Sequence, residues 1–380
     1  MSALSQTRLR AVIAVLIILV IVGVIFGYQY YVQPSTQAVA ESTLATSVST
    51  VQIQNVSQSV TESTSTAASP LILYSADAYV LESATLANAF TSSTGIMMAP
   101  PKGGGSLLLA QEISEGNPVS VFIAVSRSAM QPTYLGNESS GWAIAFASDQ
   151  MVLAYTNVTL QSSAAGSVLD AYGTAVAINS TQTWNNFYYA LTSGNVKVGI
   201  GDPNADPAGY RAWLTLQAAG KVYASTNFFV NRMLTNSGNV TGASAADLIA
   251  PLESGQIQFL FIYKSAAISH HLNYMQLTDA VNLGNPAYSK FYSQFSYKLA
   301  KGKQKGSLIA LFITVPVDST DPVDSVQFVV FVMKNYQTLL APFGLTFMTP
   351  ARLYTTTTAN VPQPIQELVT QGYVENGGAL

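Results

Sequence analysis

The sequence predicts an α/β protein built as two lobes, each a mainly parallel sheet flanked by helices, closing on a small ligand. Three observations predict it. Short apolar strands alternate with helical patterns, the signature of βαβ units. Three strand-to-helix junctions, at Ala76-Asp77, Gly105-Ser106 and Asp206-Ala208, fall at carboxyl ends of strands, the edge where open α/β sheets hold ligands. The segment MVLAYTN (151–157) takes the chain across to a second lobe, and LFITVP (311–316) brings it back.

The elements follow in order. LILYSADA (71–78) is a short apolar strand with a turn, and YVLESATLANAF (79–90) is a helix that stops at Gly95. In PKGGGSLLLAQEI (101–113) a glycine-rich turn opens a helix, with Ser106 at or near its N-cap. VSVFIAVS (119–126) is a buried strand. The most informative stretch is VKVGIGDPNADPAGYR (196–211). Val196, Val198 and Ile200 alternate as a buried strand, and Pro207 stands where a helix start loses nothing by a missing N–H. Trp213, Leu214, Leu216 and Ala218 continue that helix. Its first-turn amides are expected to remain unpaired, with the positive end of the helix dipole behind them, seating an oxyanion without any arginine. The helix in VDSVQFVVFVMKNYQTLLAPFG (323–344) is expected to pack back on the first lobe.

With 380 residues, 49% apolar and 9% charged, the chain has ample material for two cores. A net charge of −3 with scattered Lys and Arg gives no footprint for nucleic acid. The densest basic cluster, Lys301, Lys303 and Lys305, sits in a Gly/Gln-containing loop and reads as a solvated turn. The absence of cysteine excludes disulfides, thiolate metal sites and thiol catalysis.

Residues 11–32 are apolar except for Gln29, with Arg8 and Arg10 before them and Tyr28, Tyr30 and Tyr31 at the far end of the run. Such a run is long enough to cross ~30 Å of hydrocarbon, and its flanks orient the body outside the cell. Three readings of this segment stand: a retained anchor, a signal cleaved after Ala38-Val39-Ala40, or a pilin-type junction at Arg10-Ala11. The layout is then a basic cytoplasmic leader (1–10), the anchor or uncleaved signal (11–32), a Ser/Thr-rich linker (33–69), lobe 1 (70–150 and 308–380) and lobe 2 (151–307). The linker lacks the apolar residues needed to offset its ordering entropy. Sequons at Asn55, Asn137, Asn157, Asn179 and Asn239 suit an outward-facing glycoprotein.

Five segments together resemble a known family: GWAIAFASDQMVLAYTN (141–157), DPNADPAGYR (202–211), LESGQIQFLFIYKSAA (252–267), HLNYMQLTD (271–279) and GSLIALFITVP (306–316). In order and spacing they are similar to the archaeal tungstate/molybdate-binding proteins of ABC importers. The resemblance runs from about Leu71 to Asn360, and DPxGYR followed by FIYKS is its most specific part. It implies a periplasmic-binding-protein-like fold of type II, with the oxyanion held between the lobes by Ala76, Asp77, Ser106, Asp206, Pro207, Ala208 and Tyr263. In the family the matching Tyr donates its phenol to the oxyanion, and the matching Ser both caps its helix and contacts ligand. Ala208 replaces a Cys whose role is carried by its backbone N–H. Asp206 is implied as a carboxylate on the oxometalate centre, and no cofactor is implied.

Two departures strike ligand positions. Asp77 stands where the family's first junction has Ser, and Ala245 where it has a Glu that adds an oxygen to the metal centre. Asp247 lies two residues on and reaches in only if its loop shifts. An unneutralised carboxylate ~4 Å from one unit of ligand charge costs about 4 kcal/mol at an effective dielectric of 20. Asp77 therefore binds the metal centre, is protonated and donates, or turns away to cap its helix.

Other chemistry is excluded. Asp202, Asn204 and Asp206 have calcium-loop spacing, but Pro207 replaces the required Gly and Trp213 the bidentate Glu. His270 and His271 are adjacent and make a poor metal site, and no nucleophile motif or phosphate loop is present, so the chain is not read as an enzyme. The expected function is capture of tungstate or molybdate outside the cell for an ABC permease, with the membrane engaged by the N-terminal helix. Sulfate or phosphate binding is the alternative within the class, and a structural or adhesive surface protein the alternative outside it.

Overall fold

The computed structural model describes residues 69–380. The leader, the apolar segment 11–32, Asn55 and almost all of the linker lie outside the described residues. Among the described residues no helix is long and apolar enough to cross a membrane.

The first sheet has seven strands in the order β14-β13-β4-β12-β3-β1-β2. They are β1 (Leu73–Ala76), β2 (Lys102–Gly104), β3 (Val121–Ala124), β4 (Trp142–Asp149), β12 (Ile309–Thr314), β13 (Thr346–Thr355) and β14 (Val374–Gly378). The second sheet has five, in the order β7-β6-β8-β5-β9: β5 (Met151–Tyr155), β6 (Val198–Gly201), β7 (Asn239–Gly242), β8 (Phe259–Tyr263) and β9 (Asn273–Gln276). A separate hairpin pairs β10 (Ser296–Leu299) with β11 (Gly302–Lys305).

Both sheets are mixed rather than mainly parallel, and the crossing points explain why. β1, β2 and β3 run parallel, as do β6, β7 and β8, each ending at the cleft. A strand that arrives from the other lobe starts at the cleft, so it must run the opposite way. β5 follows β4 across Gln150 and lies antiparallel to β8. β12 returns to the first sheet and lies antiparallel to both β3 and β4.

Helices α1 (Val80–Thr94), α2 (Ser106–Ser114), α3 (Gly166–Ile178), α4 (Thr181–Leu191), α5 (Pro207–Tyr223), α6 (Phe228–Thr235), α7 (Lys264–Ser269), α8 (Pro322–Leu339) and α9 (Gln363–Thr370) flank the sheets. α1 ends on Gly95, whose φ of 78° is the left-handed cap that glycine adopts without strain. α8 packs on α1, with Phe90 meeting Phe328 and Phe331 edge-on at 5.2 and 5.5 Å between ring centroids. Such pairs add about 0.5–1.5 kcal/mol each beyond the area they bury. β3, β6 and β8 are buried along their whole length, because helices cover both faces of the sheets.

Three sequence expectations shift locally. The glycine run is not all turn, since Lys102–Gly104 forms β2 beside β1. Ser106 is the first residue of α2 with Gly105 at the cap position, and its hydroxyl accepts from the Val125 amide at 3.2 Å instead of capping. The basic cluster also folds differently from a solvated turn: Lys303 and Lys305 lie on β11, opposite Lys298 and Ser296.

Candidate functional site

The chain places all seven sequence-derived residues where β1, α2, α5 and β8 meet between the lobes. Ala76 ends β1 and is buried, and Asp77 opens the turn after it, half-buried. Gly105 lies against Ala205 and the Asp206 backbone from the other lobe, so closely that any side chain there would strike the Ala205 carbonyl. Gly209 in the first turn of α5 is likewise pressed on the Gly201 carbonyl, which seats α5 against the end of β6.

Asp206 caps α5, and Pro207 occupies its first helical position, as the local sequence dictates. The expectation of free first-turn amides is overturned. Asp206 Oδ1 accepts from the Ala208 amide at 2.9 Å, and Asp206 Oδ2 from the Ala245 amide at 2.8 Å. The Gly209 amide goes to the Asp206 carbonyl at 3.0 Å. At α2 the Leu107 and Leu108 amides both donate to the Ala205 carbonyl, at 3.1 and 3.4 Å. These amides are thus satisfied by the chain's own oxygens, because buried amides must find an acceptor; the facing loop supplies one at α2 and Asp206 at α5. Ala245, where a Glu was expected from the family pattern, contributes a backbone N–H that fixes Asp206 in place.

Asp77 Oδ1 accepts from the amide of the next residue, Ala78, at 2.9 Å, and the turn it opens has no side-chain cap. Burial raises its pKa, and Asp247 across the cleft adds to this, against the Ser244 hydroxyl and the Ala78 amide. Asp247 itself is exposed and held by the Ser244 amide and hydroxyl at 2.9 and 3.0 Å. Burial also raises Asp206, to about 7, with the charge of Asp77 the next cause. Two carboxyls from opposite lobes therefore sit close enough to titrate against each other.

A residue the sequence reading did not select completes the site. Arg211 is 3% exposed, and its Nη1 donates to the Tyr263 phenol oxygen at 2.7 Å. It forms no ion pair among the described residues. Burial opposes its charge, but the oxygens of Tyr210, Tyr263 and Tyr79 outweigh that and hold it ionised. Tyr263 is fully buried, accepts from Arg211, and its own O–H has no acceptor among the described residues. Burial keeps it a neutral phenol. The signal was in the sequence: a lone arginine among Tyr210, Ala212, Trp213 and Leu214 on a buried helix, a place where Arg stands only when something needs its charge.

A polar seam joins the lobes behind this point. Tyr79 stacks on Tyr263 at 5.7 Å and donates to Asp149 at 3.0 Å, and the Ser265 hydroxyl donates to the same carboxylate at 2.6 Å. Burial raises the pKa of Asp149. Next to it Glu82 accepts from Ser269 at 3.2 Å and leaves its other oxygen buried without a partner. Burial lifts Glu82 from 4.5 to about 7.

The sign of the resulting pH dependence is fixed. Glu82 and Asp206 bind their protons more tightly folded than unfolded, so the stability they contribute is complete below about pH 4 and lost as pH rises through 7. The ligand-free melting temperature is expected to fall by on the order of 5 °C between pH 4 and pH 8. Glu82→Gln should flatten part of that fall, and a scan at five pH values reads both.

Residues 71–334 match the family described as bacterial extracellular solute-binding protein. The chain belongs to this family. A solute-binding protein of Sulfurisphaera tokodaii is 37% identical over 317 residues, covering 81% of this chain and 83% of its own length. One from Saccharolobus solfataricus is 34% identical, covering 82% of this chain and 79% of its own. The periplasmic molybdate-binding protein of Azotobacter vinelandii shares the fold at a TM-score of 0.51 and 13% identity, covering 73% of this chain and 98% of that one. This solute-binding protein is therefore a binder and not an enzyme, of the ABC transporter type, with its body outside the cytoplasm. Membership removes the structural or adhesive reading.

Proposed function

We propose that the protein captures tungstate or molybdate between its lobes and passes it to an ABC permease, tethered to the membrane by residues 11–32. One observation carries the reading. The Tyr263 phenol accepts from a buried Arg211 and keeps its own proton for an outside acceptor, which makes the pair a donor for an anion. Selectivity then comes from Arg211 as well as from hydroxyls, not from amides alone.

Ala76, Ser106, Pro207 and Ala208 shape the walls, and Asp206 and Asp77 are the carboxyls able to add oxygens to the metal centre. Below about pH 7 a protonated carboxyl donates to the oxyanion instead of repelling it. The similarity to the Azotobacter protein supports the architecture in which such an anion is held. Hydrogenphosphate is the second reading, favoured by Asp77, because an ionised carboxylate there accepts from a ligand that carries a proton.

Tyr263→Phe tests the reading. A hydrogen bond to a charged ligand is worth about 1.5–3 kcal/mol, so tungstate affinity is expected to fall about 10–100-fold, and the melting temperature falls as well because buried Arg211 loses its phenol acceptor. Unchanged tungstate binding in this variant would remove Tyr263 from the site.

A further inference from the structure

Beside the oxyanion site the lobes enclose a second cleft, of about 600 Å³, and its walls are basic. Arg127 comes from the turn after β3, Arg352 from β13, Arg211 from α5, and Lys303 and Lys305 from β11, and among the described residues no acidic side chain lines it. Lys303 and Lys305 are two apart on one strand, so they project to the same side. The hairpin that carries them is fastened to the second lobe. Tyr297 stacks on Trp213 at 6.4 Å, and the Ala300 amide donates to Asn204 at 2.8 Å. Its tip reaches the first lobe, where Lys301 lies 5.1 Å over the Tyr134 ring.

The charges facing this space are poorly compensated within the protein. Arg352 pairs with Glu375 at 3.2 Å from outside the cleft, and among the described residues the Arg127 guanidinium meets the Ala379 carbonyl, at 3.4 Å, and the Tyr354 ring. Arg211 is buried and uses one of its five N–H donors, on Tyr263. Cations gathered without counter-charge repel one another and focus a positive field into the cleft, which an anion relieves. The volume lies within the range of sites that enclose organic molecules, about 300–1,000 Å³, and far exceeds the needs of one tetrahedral ion.

We propose that this basic cleft binds a small organic anion carrying two or more negative groups, with Arg211 at the inner end and Lys303 and Lys305 at the hairpin wall. The cleft shares Arg211 with the proposed oxyanion site, but Lys303 and Lys305 belong to the cleft alone, so substituting them separates the two readings. A ligand this long contacts the first sheet, α5 and the hairpin at once, and so draws the lobes together.

The test titrates the full chain at low salt with citrate and phosphoenolpyruvate, using acetate as the single-charge control, and repeats each titration in a Lys303→Ala, Lys305→Ala variant. Both lysines are exposed on a hairpin, so the fold is expected to survive. The expected result is saturable binding of citrate or phosphoenolpyruvate, none of acetate, a loss of ten-fold or more in the variant, and tungstate affinity unchanged by the substitutions. Failure of both polyanions to bind the parent chain below millimolar concentration would overturn the proposal, as would equal binding by the variant. Tungstate binding without polyanion binding would overturn this proposal alone, and the reverse would overturn the oxyanion reading alone.

Discussion

Arg211→Met is expected to weaken tungstate binding about 100-fold while costing the ligand-free protein far less. The two effects part because Arg211 is buried and has no ion-pair partner among the described residues. A desolvated cation is costly, so burial offsets much of what the phenol contacts of Arg211 contribute to the fold. For the anion the same change removes the nearest buried positive charge and the donor that orients the Tyr263 phenol. A hundred-fold loss corresponds to about 2.7 kcal/mol. Calorimetric titration and a melting curve on the same sample read both halves. A variant that melts far below the parent and binds tungstate normally would show that Arg211 serves the fold alone.

Asp206→Ala is expected to be the most destabilising single change in the site. Its two oxygens satisfy the Ala208 and Ala245 amides, one at the start of α5 and one in the loop after β7. Removing the carboxylate deletes an N-cap and leaves both amides buried without an acceptor. The cap is worth about 1 kcal/mol and an orphaned buried donor about 1–3 kcal/mol, which places the loss near 3 kcal/mol. Asp206→Asn keeps one acceptor and should lie between the two. Denaturant melts of the three proteins at pH 8, where the parent's carboxyl is ionised, would establish the order, and equal midpoints would contradict the geometry.

The chemistry that is local in sequence was legible in it. Pro207 at the start of α5 follows from its own backbone, which has no N–H to satisfy. Gly95 as the end of α1 follows from the left-handed cap. Long-range partners were not legible. Nothing near Ser106 says that the Ala205 carbonyl occupies the start of α2, and nothing near Asp206 says that Ala245 donates to it. Strand direction was missed for the same reason, since β5 and β12 owe theirs to crossing between lobes. Lys303 and Lys305 look like a solvated turn until the hairpin folds over the cleft. Arg211 was passed over in favour of the helix amides, although a charge inside an apolar helix was itself a sign.

The most direct measurement is a calorimetric titration of the full chain with tungstate, molybdate, sulfate and phosphate under one buffer. The account expects tungstate and molybdate to bind one per chain at micromolar concentration or tighter, with sulfate and phosphate at least ten-fold weaker. At 100-fold over its Kd such a ligand adds about 2.7 kcal/mol of stability, so a melting curve would register it as well. Preference for phosphate or sulfate would keep the fold and overturn the substrate, and binding of none of the four would contradict the oxyanion account itself.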